Sequence, residues 1–152
     1  MLIKTSLLTA MTDFFALRRE FMQRFDLTPP AQPTPQPADL TLWETMLREE
    51  LAEFWQALAE YKALAGVDEA ERVRRMAELA AEGVDVMNVM TGLLLSQGLP
   101  VAEMAREIHA ANLRKCVDGE VRRRADGKIL KPDGWQPADK EGVIRAALPQ
   151  ER

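Results

Sequence analysis

The chain has 152 residues, 47% of them apolar and 29% charged, with a net charge of −4 and one cysteine. That length suits a single domain (1–152) able to bury a sizeable core, and the acidic balance argues against a general nucleic-acid binder, which is usually basic. The lone Cys116 excludes an internal disulfide framework and fits a cytoplasmic protein, while no run of about 18 apolar residues is free of charge, so no membrane span is expected.

Four helical stretches are expected. The first runs from about Thr5 to Phe25, where Leu7, Leu8, Met11, Phe14, Phe15, Phe21, Met22 and Phe25 recur at helical spacing. Asp13 and Arg18 follow the apolar start closely and no cleavage site is evident, so this segment reads as helix rather than signal peptide. A Pro-rich connector (27–38) comes next, and its prolines stop the helix and favour extended chain. Asp39 or Thr41 then caps a second helix, expected to reach Leu64, with Leu47, Leu51, Phe54, Leu58 and Tyr61 as its apolar stripe. Gly66 ends it, and a third helix spans about Asp68 to Ser96, closed by Gly98 and Pro100. The fourth runs from Val101 to Leu113. The C-terminal arm (116–152) is rich in glycine and charge, with room for a small hairpin and a short helix from Asp139 to Leu148. Strand-like alternation is almost absent, so the expected fold is all-α: a four-helix bundle with an irregular C-terminal arm.

One pattern carries chemistry. Between Leu79 and Leu95 the chain is apolar apart from two glycines and Glu82, Asp85, Asn88 and Thr91, which recur every third residue. That spacing keeps them on one slowly drifting helix stripe. Carboxylates among apolar residues are costly unless paired, and no Lys, Arg or His lies within the run. The second helix carries Glu49, Glu50 and Glu53. Glu50 and Glu53 are neighbours on the helix surface, roughly 60° and 120° from the apolar stripe, whereas Glu49 projects farther round. Antiparallel packing of the two helices brings Glu50, Glu53, Glu82 and Asp85 together. Like charges raise one another's pKa, and divalent cations resolve the conflict. An all-oxygen set suits Mg²⁺ or Mn²⁺. The competing reading is a buried polar network satisfied by Arg18, Arg19 or Arg24. A di-iron bundle needs Glu-x-x-His motifs, and Arg106 stands three residues before His109, the single histidine.

Glu50-Leu-Ala-Glu53, then Glu82-Gly-Val-Asp85 after 28 residues, resembles the ExxE…ExxD signature of the MazG-like all-α nucleoside triphosphate pyrophosphatases. That superfamily also holds dimeric dUTPases, dCTP pyrophosphatases and phosphoribosyl-ATP pyrophosphatases. The phosphoribosyl-ATP enzymes are usually shorter and lack a long Pro-rich connector, which lowers that reading. The resemblance covers about Thr5 to Trp135 and is strongest to the MazG-like dUTP pyrophosphatases. It implies Mg²⁺ or Mn²⁺ held by Glu50, Glu53, Glu82 and Asp85, with hydrolysis between the α- and β-phosphates of a nucleoside triphosphate, dUTP first and dCTP among the alternatives. Glu49 is the candidate general base and Glu50 its rival. Asn112 and Lys115 match the Asn and Lys that reach the phosphates in the family, and Lys128 and Lys131, with Arg122, Arg123 and Arg124, add local positive charge suited to a triphosphate.

Asn88 is a candidate contact to a pyrimidine edge, since an amide both donates and accepts. It also reads as a buried amide bonded to backbone. Thr91 would extend the same stripe. Phe21, Phe25, Trp43 and Trp55 are candidates for stacking on a base or for core and interface packing. His109 reads as a core or capping histidine. The resemblance also implies a homodimer, in which a partner subunit covers apolar faces of the bundle. A non-catalytic helical regulatory dimer that keeps the acidic pairs is the alternative class.

Overall fold

The computed structural model describes residues 14–149; the part of the first expected helix before residue 14 lies outside them. Residues 14–24 are helical (α1). A single 3-10 turn at Pro37–Asp39 follows the connector. The remaining helices are α2 (Leu40–Lys62), α3 (Glu69–Ser96), α4 (Val101–Leu113) and α5 (Lys140–Ala147). Between α4 and α5 sit two short antiparallel strands, β1 (Cys116–Val117) and β2 (Glu120–Val121), with Cys116 opposite Val121. The chain is an all-α helical bundle with extra C-terminal elements.

Local chemistry accounts for most boundaries. Helix α1 ends where Asp26 takes φ 56 and Leu27 N–H donates to Met22 O at 2.8 Å, a left-handed cap of the kind glycine usually supplies. Asp68 caps α3 by accepting from Glu71 N–H at 2.8 Å, and Asp139 caps α5 by accepting from Gly142 N–H at 2.9 Å. Helix α2 stops two residues short of expectation, because Ala63 N–H turns back onto Glu60 O and Gly66 takes φ +77.

Gln97 holds the connector through both its side chain and its backbone. Buried Gln97, at the end of α3, accepts from Gln36 N–H through Oε1 at 2.6 Å, and its backbone carbonyl accepts from Thr34 N–H at 3.0 Å. These bonds lay the extended segment across the end of α3 and return α1 to the bundle. The core then forms where α1, α2 and α3 meet, from Met22, Trp43, Val89 and Leu95, with Met46, Leu47, Leu93 and Val101 packed against it.

Helices α2 and α3 run antiparallel in a constant register. Trp43 packs on Gly92, Phe54 on Gly83, and Glu60 pairs with Arg74 at 3.0 Å. Position 92 has no room for a side chain: a Cβ there would lie 2.5 Å from the Trp43 ring and 2.9 Å from Arg18 Nη2. Near the α2–α3 turn, Glu71 accepts from Arg74 and Arg75, and Arg75 also donates to the carbonyls of Glu60 and Ala63. By length and composition alone α3 is apolar enough to cross a membrane. Its packing along α2 and its five carboxylates make it a bundle helix here, with Val73, Met76, Val84, Met87 and Met90 left exposed.

The arm docks on α4. Trp135 Nε1 donates to Ala111 O at 2.8 Å, and Arg114 donates to the carbonyls of Gln136 and Pro137. Asp139 N–H donates to Glu107 Oε1 at 2.9 Å.

Candidate metal centre and adjoining cleft

The α2–α3 register places Glu53 opposite Glu82 and Glu50 opposite Asp85. Glu50, Glu53 and Glu82 each offer a carboxylate oxygen, and these three atoms lie within 4.8 Å of one another. Asp85 stands outside that trio but close enough for its charge to act on Glu50. Partial burial, then the charges of Asp85, Glu53, Glu82 and Glu49, hold the Glu50 carboxyl above its ordinary range. Partial burial and the charges of Glu53, Asp85 and Glu78 do the same to Glu82, which is also placed to share a proton with Glu53. Such a set is a cluster of oxygen donors with unrelieved negative charge. It fits a hard divalent cation such as Mg²⁺ or Mn²⁺.

The surroundings of the α3 stripe are more varied than the sequence suggests. Glu82 and Asn88 are half-buried, Asp85 is exposed and Thr91 is buried. A step of three residues falls short of a full turn, so the stripe rotates by about 60° each time and ends in the core. Thr91 is therefore a core residue and does not line the cleft described below. Asp85 is not enclosed by apolar side chains; its edge position exposes it. Asn88 Nδ2 donates to Asp85 Oδ1 at 3.4 Å, so Asn88 adjoins the acidic group rather than bonding to backbone. Glu49 is exposed on the outer side of α2.

Beside the carboxylates lies a cleft of about 870 Å³ between α1, α2 and α3. Glu50, Asp85 and Asn88 form one end, and Phe14, Phe21, Phe25 and Trp43 supply aromatic walls. Trp55 is elsewhere, exposed and edge-on to Phe54. Leu17 and Val84 also line the cleft; nothing in their spacing marks them, since apolar residues on a helix face read as core. Of the three arginines offered as alternative partners for the acids, Arg24 pairs with Glu20 at 2.8 Å and Arg19 borders a different depression near Pro30. Only Arg18 faces the cleft, and Asp85 acts on it through space without a hydrogen bond.

The basic residues expected at the phosphates form a second group. Lys115 Nζ donates to Asn112 Oδ1 at 2.7 Å, and Lys131 Nζ lies 4.4 Å from the Trp135 ring centre. Arg122 and Arg124 pair with Asp133 and Asp126 inside the arm, and Lys128 N–H donates to Asp126. Among the described residues no hydrogen bond or ion pair joins this group to Glu50, Glu53, Glu82 or Asp85. His109 is exposed on α4, not a core residue.

The family profile described as phosphoribosyl-ATP pyrophosphohydrolase matches residues 18–112, more than half of the chain. The match begins at Arg18, crosses the Pro-rich connector, and takes in both acidic pairs, Asn88 and Asn112. No curated protein matches the chain significantly.

Proposed function

The chain belongs to the phosphoribosyl-ATP pyrophosphohydrolase family of all-α nucleoside triphosphate pyrophosphohydrolases, and from that premise we propose that it cleaves the α–β phosphoanhydride of dUTP, giving dUMP and pyrophosphate. The observation that carries the reading is the trio Glu50, Glu53 and Glu82, which reaches an aromatic cleft through Glu50. A triphosphate needs cationic charge, a planar base needs flat apolar walls, and the two sites adjoin.

In this reading Glu50, Glu53 and Glu82, with Asp85 beside them, hold Mg²⁺ or Mn²⁺. When bound, the ion neutralises phosphate charge and polarises the phosphorus centre. Glu49 or Glu50 takes the proton from the attacking water. Glu50 has the better position, because it lines the cleft and Glu49 does not. Asn88 contacts the bound nucleotide at the junction of acids and aromatics. Lys115, Lys128 and Lys131 supply positive charge to the leaving pyrophosphate and Asn112 an amide donor, a role supported by the meeting of Lys115 and Lys131 at Trp135 and of Lys115 with Asn112. The protein acts in the cytoplasm as a homodimer, and exposed Val73, Met76, Met87 and Met90, which lie outside the cleft lining, support a partner covering that face of α3.

The matched profile favours phosphoribosyl-ATP as the second substrate reading. A panel of dUTP, dCTP, dTTP, dGTP, dATP and phosphoribosyl-ATP, assayed for pyrophosphate with Mg²⁺ and Mn²⁺, separates the two. The highest kcat/KM on dUTP supports the proposal. Turnover confined to phosphoribosyl-ATP replaces it with the second reading, and turnover of none points to the non-catalytic dimer.

A further inference from the structure

Arg18 is the one cationic side chain among the described residues lining the cleft, and the metal site does not account for it. Its guanidinium carbon lies 4.5 Å from the Phe21 ring centre and 5.8 Å from that of Trp43. Gly92 leaves the space that Nη2 occupies, since a Cβ there would come within 2.9 Å of it. Three neighbours on three helices thus fix the orientation of one arginine. Yet its Nε is buried and has no hydrogen-bond partner among the described residues.

An arginine only donates. Nε is closed to solvent, so Arg18 reaches a ligand in the cleft through its terminal Nη groups, which the two rings and Gly92 hold in one orientation for an acceptor. The flanking rings suit a planar group rather than a solvated phosphate. Asn88, also lining the cleft, adds an amide that both donates and accepts. Among nucleobases, uracil, thymine, cytosine and guanine present an exocyclic carbonyl oxygen. Adenine presents an exocyclic amine, which donates and would meet a second donor.

We propose that Arg18 is a specificity-determining residue that donates a hydrogen bond to an exocyclic carbonyl of the base, so that the cleft takes oxo-bases and rejects adenine. This rests on the nucleotide reading above, and goes beyond it by assigning the discrimination to one side chain. It also sets this chain against an adenine nucleotide as preferred substrate.

The test compares kcat/KM for dUTP and dATP in the wild type, Arg18→Met and Arg18→Lys. The Met variant should lower the dUTP/dATP ratio by about 30-fold through loss on dUTP, with dATP changed by less than about 3-fold. The Lys variant keeps the charge but not the planar fork and should recover part of the ratio. Mn²⁺ affinity should be unchanged in both, which a collapse of the site would not allow. If Arg18→Met fails to fold, Arg18→Lys alone must still lower the ratio. An equal fall on both substrates, or an unchanged ratio, overturns the proposal. Should the wild type hydrolyse no nucleotide, the parent reading fails separately. Calorimetric titration of dUMP and dAMP into the same proteins then decides: selective loss of dUMP binding in Arg18→Met upholds the role of Arg18, and any other result removes it.

Discussion

Glu53 on α2 and Glu82 on α3 face each other across the helix pair closely enough to share a proton, and among the described residues no basic side chain pairs with either. The same antiparallel register that packs Trp43 on Gly92 sets them there. Packing thus brings like charges together, and the fold holds them in place against their repulsion.

Removing one of those charges should separate stability from metal binding. Glu82→Gln relieves repulsion from Glu53 and Asp85, so the metal-free protein should become more stable. Asp85→Asn is exposed and should change stability by no more than about 0.5 kcal/mol. Both should weaken Mn²⁺ binding and cut turnover by at least about 100-fold. Chemical denaturation and calorimetric Mn²⁺ titration check this. Marked destabilisation by Asp85→Asn would show that Asp85 exists to balance the charge of Arg18.

The acidic group should also give stability an unusual pH dependence. Glu50 and Glu82 bind protons more tightly in the folded protein than their ordinary value of 4.5. Between 4.5 and those raised values the folded state holds more protons than the unfolded chain, so stability falls as pH rises through that window. Glu71 behaves oppositely: hydrogen bonds from Arg74 and Arg75 pull it down to about 2, so its contribution is lost as pH falls from 4.5 toward 2. The metal-free Tm should therefore rise from pH 2 to about 4.5 and decline above it. Saturating Mg²⁺ should abolish the decline, because the ion binds the ionised carboxylates. A Tm that keeps climbing above pH 4.5 without metal would contradict this.

Gly92→Ala should test the contact that sets the register. Its new methyl meets the Trp43 ring and Arg18 Nη2. Overpacking of this kind costs about 1–3 kcal/mol, and the displaced Arg18 should lower affinity for the base as well. Gly66→Ala provides the comparison: no atom lies within 4 Å of its added Cβ, so its cost comes from φ +77 alone and binding should not change.

The exposed face of α3 predicts the oligomeric state. Met87 is 48% and Met90 43% exposed although they belong to the apolar part of the helix and do not line the cleft. Sedimentation at micromolar concentration should show a dimer, and Met87→Glu should give a folded monomer. A monomeric wild type would contradict the covered face.

Much of this architecture is legible in the sequence where local chemistry decides. Asp68 and Asp139 cap where their spacing to the following helices implies, and Gly98 with Pro100 separates α3 from α4. The Glu50–Glu53 and Glu82–Asp85 pairs are visible because helical spacing alone puts each pair on one surface. Long-range contacts are not visible. The return of α1 depends on Gln97 gripping the connector at Thr34 and Gln36, and those three residues share no periodic pattern. The path of the arm depends on Trp135 reaching Ala111, which gathers Lys115 and Lys131 around an aromatic ring. Gly92 left a trace, since glycine inside a helix usually marks a close approach, but the identity of the approaching ring needs the folded chain.

The most direct test of the central claim is phosphorus NMR of dUTP incubated with the protein and Mg²⁺ in ¹⁸O-labelled water. The account predicts dUMP and pyrophosphate as the only products, the reaction stopping when the metal is chelated and absent from Glu82→Gln. Orthophosphate with dUDP, or an unchanged dUTP spectrum, would contradict it.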